Sequence, residues 1–266
     1  MSRASDAPHD NSFTLSIDGS NCGHVFSPAV EALRSCAYAS IDDVNCTVRV
    51  KAGNLSLNEA VGNIALTLNR AGCVPRWRDE LLDLWTADGQ TIGAIERGVV
   101  RPLGALTRAV HLNAWSADGG LWVARRSLTK PTDPGMWDTL VGGLIGLGEP
   151  EPLALERESF EEAGLTVDDL AGRTPIRTVA LMQRRLPEGY QRELVLTSEC
   201  VLPTTAVPEN QDGESMTIEC LAPQTVLKML EHGDFTVEAS LVILEDLIFQ
   251  VTGLRESLMQ PRESAG

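Results

Sequence analysis

From Phe13 onward, apolar and polar positions begin to follow regular periods. FTLSIDG alternates, which predicts a strand. SPAVEALRSC predicts a short helix with Ser27 as its cap and Pro28 at its first position. VNCTVRV predicts a second strand. In SLNEAVGNIALTLNRAG, Ser56 and Glu59 stand three apart as a capping pair. Ala60, Ile64, Leu66 and Leu68 supply the apolar positions, and Gly72 ends the helix. ELLDLWTADGQTIGAIE holds two apolar runs around Asp88-Gly89, the signature of a hairpin. Residues 13–104 are therefore expected to form a small α+β domain.

The runs lengthen after Leu106. LTRAVHLNAWS and GLWVARRS flank a second Asp-Gly turn, Asp118-Gly119. Further strands are predicted in IRTVALMQRR, RELVLTSECVL and SMTIECLA, then helices in PQTVLKMLEHG and EASLVILEDLIFQVTG. Strands, a helix, more strands and closing helices imply a mixed sheet with helices on its faces, spanning residues 105–254. Residues 1–12 are polar and expected to be a disordered tail, and 255–266 a second tail.

Composition narrows the class. The chain has 266 residues, 43% apolar and 22% charged, enough for a buried core, and a formal net charge of −15. Such a charge repels nucleic-acid backbones and anionic membranes, so neither is an expected partner. Six cysteines lie far apart without the spacing of a zinc site and are expected to be reduced. No apolar run approaches a membrane span and no secretory pattern opens the chain, so a cytoplasmic location is expected.

One stretch resists a purely structural reading. GGLIGLGEPEPLALERESFEEAGL places Glu156, Glu158, Glu161 and Glu162 within seven positions, with Arg157 the single cation among them. Pro150 and Pro152 fit a helix start and Gly164 a helix end, so a helix is expected over about 151–163. On it Glu158, Glu161 and Glu162 stand at i, i+3 and i+4, on one face. Each like-charged pair there costs roughly 0.2–0.5 kcal/mol. Carboxylates at the negative end of the helix dipole cost roughly 0.3–1 kcal/mol each. Water could solvate this acidic face; a hard divalent cation, which takes oxygen ligands, would remove the conflict.

The full string decides between these readings. Gly143, Glu149 and Arg157-Glu158-Ser159-Phe160-Glu161-Glu162-Ala163-Gly164-Leu165 resemble the Nudix box, G-x5-E-x7-R-E-U-x-E-E-x-G-U, where U is a bulky aliphatic residue. Eight of the nine specified positions match. The departure is Ser159, which should face the sheet, leaving the core there thinner or refilled by Phe160 or Leu155. The resemblance implies an α+β Nudix fold (an α/β/α sandwich) with the box as a loop–helix–loop against the mixed sheet. It also implies Mg²⁺ or Mn²⁺ as cofactor. By position, Glu161 and Glu162 would be the chief metal ligands, Glu158 a further ligand or the base, and the Gly143 carbonyl another ligand. Arg157 would orient the glutamates and Glu149 anchor the loop. In Nudix enzymes the base often comes from a distant loop; here ENQDGES supplies Asp212 and Glu214, which otherwise read as a simple turn.

The flanks GALTRAVHLNAW, LWVARRSLTKPTDPGMWDTLVGG and PENQDGESMTIE, with Trp77-Arg78-Asp79-Glu80 in the first domain, are similar to a Nudix group found alone or fused to thiamine pyrophosphokinase in fungi. That likeness implies a small-molecule substrate, thiamine diphosphate or its oxidised or damaged forms, cleaved to the monophosphate. Arg125, Arg126 and Lys130 are the candidate diphosphate binders, although strand alternation lets only one arginine face a pocket. Trp137 or Trp115 is the candidate to stack on a heterocycle, and Trp77 the candidate to close the pocket from the first domain, with core packing the competing reading for each. His111 reads as a core histidine. A nucleotide-derivative pyrophosphatase acting on NADH, ADP-ribose or a nucleotide sugar is the alternative enzyme. A non-catalytic Nudix-fold sensor is a third reading, disfavoured by the intact glutamates. Many Nudix enzymes pair up, which leaves a homodimer open.

Overall fold

The computed structural model describes residues 4–252. Two compact units are resolved. One comprises the chain up to Thr107 with 146–148 and Leu181–Glu193; the other comprises Arg108–Ile145, Glu149–Ala180 and the chain from Leu194.

In the first unit, β1 (Phe13–Ile17) and β2 (Ser20–Val25) form a hairpin, followed by α1 (Ser27–Leu33), β3 (Ala39–Asp42), β4 (Thr47–Val50) and α2 (Leu57–Arg70). The four strands lie in the order β2-β1-β4-β3, with β1 parallel to β4. Ser56 and Glu59 close the capping box of α2, and Ala60, Val61, Ile64, Ala65 and Leu68 form its buried face. Leu66, expected among the apolar contacts, is instead 40% exposed because it points off that stripe. Ser27 is not the cap of α1. The Phe26 carbonyl already accepts from the Ala29 and Val30 amides, so the helix starts one residue earlier and Phe26 takes the capping position. β5 (Leu81–Trp85) and β6 (Thr91–Glu96) pair around Gly89, whose φ of 85° suits the turn. The short helix α3 (Val100–Leu103), absent from the sequence reading, follows.

The N-terminal segment departs from expectation. The Asp6 amide donates to the Gln183 carbonyl at 2.8 Å, and the Tyr190 hydroxyl donates to the Asp6 carbonyl at 2.6 Å. A sheet edge offers unpaired backbone groups that a polar chain can satisfy, and composition does not register such a partner. The tail expected at 255–266 lies outside the described residues.

The larger sheet is built from β7 (Leu106–Trp115), β8 (Leu121–Arg126), β9 (Trp137–Thr139), β10 (Val141–Leu144), β11 (Arg177–Leu186), β12 (Gly189–Val201) and β13 (Ser215–Leu221). Its order is β11-β12-β7-β8-β13, with β10 on β7 and β9 on β8. β9 and β10 escaped the sequence reading because three residues and a Gly-Gly pair carry too little alternation. Three helices complete the unit: α4 (Glu151–Ala163), α5 (Pro223–His232) and α6 (Val237–Thr252).

Alternation along β7 splits the core. Val110, Leu112 and Ala114 pack with Ala154, Leu155 and Ala163 of α4 on one face. Trp115 on the other face packs with Val226 of α5 and Ala239 and Ile243 of α6. The result is an α/β/α sandwich of α+β character. Full burial of a side chain such as Leu155 contributes roughly 1.5–3 kcal/mol. No helix among the described residues is long and apolar enough to cross a membrane, and no disulfide links the six cysteines.

Helix α6 is keyed to the sheet by a buried acid. The Trp115 indole donates to Asp246 at 2.8 Å and the Asn113 amide to the same oxygen at 3.3 Å. Burial raises the Asp246 carboxyl to about 6, with the negative charge of Glu199 adding to the effect. Folded Asp246 therefore holds its proton more tightly than the unfolded chain. Its relative stabilisation is fully present below about pH 4 and lost as pH rises through about 6. Asp246→Asn keeps an acceptor for both donors. It is expected to flatten the fall in stability over that window and to raise stability at pH 7 by roughly 1–3 kcal/mol. Denaturant midpoints measured from pH 4 to 7 check this; parallel curves for the two proteins would contradict it.

Candidate metal and diphosphate site

Helix α4 is placed by both its ends. Pro150 precedes it in extended conformation, and Gly164 ends it at φ 68°, its amide donating back to Phe160. The loop between β12 and β13 fastens to the same end, where the Glu209 amide donates to the Ala163 carbonyl at 3.0 Å. On the buried side, Ala154, Leu155, Ser159 and Ala163 meet the sheet. Phe160 is 62% exposed and refills nothing at Ser159; Leu155 alone of the two proposed fillers is in the core. The Ser159 hydroxyl is fully buried and finds no hydrogen-bond partner among the described residues.

Arg157 uses every donor it has. Its Nε and Nη2 grip the Glu149 carboxylate at 2.8 and 2.9 Å. Its Nη1 reaches Glu158 at 2.7 Å and Glu161 at 3.1 Å, and Nη2 also meets the Leu144 carbonyl at 3.2 Å. A planar guanidinium has five N–H groups, and five acceptors surround this one. Its pKa is raised above the ordinary arginine value, first by the hydrogen bonds to Glu149. Glu156 turns away from this network and pairs with Arg173.

Gly143 serves the site by lacking a side chain. The Glu158 carboxylate lies where a Cβ on Gly143 would be, so any other residue there displaces it. Its neighbour Gly142, on the same β10 strand that pairs with β7, donates its amide to Glu162 at 2.9 Å.

Glu162 belongs to a second group. Its carboxylate and those of Asp212 and Glu214 have oxygens within 4.8 Å of one another, the one cluster with metal-ligand spacing among the described residues. Burial is the main reason its carboxyl is pushed up to about 8. The Gly142 amide and Lys130 oppose the shift, while the charges on Glu158 and Asp138 add to it. Lys130, on the loop after β8, ion-pairs with Glu214. Its own pKa is lowered, first by burial, with Arg126 acting in the same direction and Glu162, Asp138 and Asp212 opposing. A donor set made only of carboxylate oxygens, one pushed toward neutrality mainly by burial, suits a hard divalent cation. The residues present fit such an ion.

Strand alternation separates the two arginines. Arg126 donates to Asp138 at 2.8 Å and to the Thr132 carbonyl at 3.0 Å, half-buried. Arg125 is exposed, opposite Trp137 in the ladder, with its guanidinium carbon 5.9 Å from the ring centroid. Trp137 also packs on the α5–α6 side of the core, and Trp115 is core. Trp77 lies in the first unit, its indole donating to Asp79 at 2.7 Å. Buried His111 meets the Thr139 hydroxyl at 3.0 Å. Asp138, missed in the sequence, carries no spacing signal; only the pairing of β8 with β9 puts it on the Arg126 face.

A sequence profile of the NUDIX domain matches residues 105–240. Nudix hydrolase 24, chloroplastic, of Arabidopsis thaliana is 28% identical over 211 residues, 78% of this chain and 56% of that protein. Nudix hydrolase 20, chloroplastic, of the same plant is 29% identical over 211 residues, 77% of this chain and 54% of its own length. The chain thus spans about half the length of these curated relatives. Among solved structures, DR0079 of Deinococcus radiodurans is similar at 23% identity, covering 62% of this chain and 98% of its own, with a TM-score of 0.46.

The unpartnered hydroxyl gives a direct test of packing under the site. Ser159→Ala is expected to stabilise the protein by about 1–2 kcal/mol, from release of a buried unsatisfied group and higher helix propensity. Urea denaturation should show a raised midpoint with an unchanged slope; a lowered midpoint would mean that Ser159 has a partner in solution.

Proposed function

The chain belongs to the Nudix family, and from that premise we propose that it hydrolyses a phosphoanhydride bond in a small-molecule diphosphate with the help of Mg²⁺ or Mn²⁺. The observation that carries this reading is the convergence of Glu162, Asp212 and Glu214 within 4.8 Å beside the Arg157-ordered glutamates. Glu162, Asp212 and Glu214 would hold a cation, with Glu158 and the Gly143 carbonyl as further candidates. Glu161, half exposed and bonded to Arg157 through one oxygen, stands outside that trio and would offer its other oxygen. A bound dication would withdraw charge from the anhydride and make water more acidic.

The chain's own groups supply the rest. Arg157 holds Glu158 and Glu161 in place. Lys130 and Arg126 offer positive charge to the phosphates, Arg126 from a fixed geometry. One water oxygen attacks phosphorus and the anhydride P–O bond breaks, giving for thiamine diphosphate the monophosphate and orthophosphate. The water's proton passes to a carboxylate, Glu158 by its place in the box or Glu214 from the loop.

The favoured substrate is thiamine diphosphate or an oxidised or damaged form of it, converted to the monophosphate. This rests on the likeness of the flanks, including Trp77-Arg78-Asp79-Glu80, to the Nudix group described above. Incubation with Mg²⁺ and a panel of diphosphates, following monophosphate release, tests it. Faster turnover of oxidised thiamine diphosphate than of NADH, ADP-ribose or nucleotide sugars supports the proposal. Nucleotide preference would replace the substrate, and ligand-induced thermal stabilisation without turnover would make the protein a sensor. Glu162→Gln is expected to lower kcat by roughly 10²–10³-fold without lowering the thermal midpoint, because it removes a carboxyl whose ionisation burial already disfavours. Full activity in that variant would remove Glu162 from the machinery.

A further inference from the structure

Lys130 sits among groups that a metal would claim. Its ammonium is paired with Glu214, and Glu162, Asp212 and Asp138 lie within electrostatic reach. Glu214 is in turn one of the three carboxylates within 4.8 Å of each other. A monovalent and a divalent cation cannot share those oxygens without strong repulsion. The backbone around the lysine is held: the Ser127 amide donates to the Glu214 carbonyl at 2.8 Å and the Lys130 amide to the Ser127 carbonyl at 3.1 Å. The four-carbon stem is the part free to swing. Arg126 has no such freedom, being tied to Asp138 and to the Thr132 carbonyl.

We propose that Lys130 is an internal counter-ion that fills the carboxylate cluster in the metal-free protein, is expelled when a divalent cation enters, and is thereby delivered to the phosphates of the substrate. This rests on the metal-site reading of Glu162, Asp212 and Glu214. It makes metal loading and substrate capture one coupled event. The metal takes over the negative charge that held the lysine, and the released ammonium needs a new anion, which the diphosphate supplies. Without metal, the ammonium offsets part of the carboxylate charge.

The chain has three lysines, Lys51, Lys130 and Lys228, and the other two are exposed, so each can be followed separately. Trace acylation of the full chain with mass-spectrometric readout measures the reactivity of each amine. In metal-free protein Lys130 should react slowest. Mg²⁺ alone should raise its rate severalfold and leave Lys51 and Lys228 unchanged; Mg²⁺ with methylene diphosphonate should protect it again. Glu214→Gln should raise the metal-free rate. In calorimetry Lys130→Met should bind Mn²⁺ about tenfold more tightly than the parent chain, equivalent to about 1.4 kcal/mol. Mg²⁺ uptake that leaves Lys130 reactivity unchanged, or lowers it, overturns the counter-ion proposal and leaves the metal reading intact. Absence of metal uptake by both the parent chain and Lys130→Met overturns the metal reading and the proposal with it.

Discussion

The site depends on one guanidinium. Glu149, Glu158 and Glu161 are brought close by helix geometry and by the loop before α4, and nothing in that geometry reduces their repulsion. Arg157 does so by direct contact with all three and with the Leu144 carbonyl. These side chains are 13–51% exposed, so solvent screens the pairs and they contribute modestly to stability. Their effect is geometric: the fork of Arg157 fixes the strand end, the loop and the helix face relative to each other. Lysine, a point charge, could not do this.

Glu162 lies one residue beyond the reach of that network and is handled differently. It accepts the Gly142 amide and shares a partly desolvated region with Asp138, Asp212, Glu214 and Lys130. Carboxylates outnumber cations there, and burial disfavours the charged form of whichever group is left without a partner. A site built this way tolerates its own acidity through a lysine, a proton or a dication. The elements that build it are otherwise ordinary: an apolar helix face, a sheet whose alternation divides two cores, and a glycine that leaves room for Glu158.

Local signals were read where a single period or cap decides the outcome. The capping box of α2, the hairpin at Asp88-Gly89 and the extent of α4 are set within a few residues of chain. Where a neighbour decided, the reading failed. The Phe26 carbonyl, not the Ser27 side chain, began α1; a sheet edge gave Asp6 a partner; and Phe160, though apolar, was left in solvent while Ser159 was buried. The last two trace to packing or pairing with residues distant in sequence; the start of α1 was set locally, by backbone bonds from Ala29 and Val30.

The sequence alone determined which charges share a helix face, because a 3.6-residue turn makes Glu158, Glu161 and Glu162 neighbours, and Pro150 and Gly164 bound the helix that carries them. It also determined family membership, through a spacing that survives without reference to any fold. Only the tertiary structure decided how those glutamates divide. The pairing of β8 with β9 and β13, and the docking of the Glu209 amide on the end of α4, bring Asp138, Asp212, Glu214 and Lys130 to Glu162 and leave Glu161 with Arg157. Those partners are set by hydrogen-bond register between distant segments, which no local periodicity encodes.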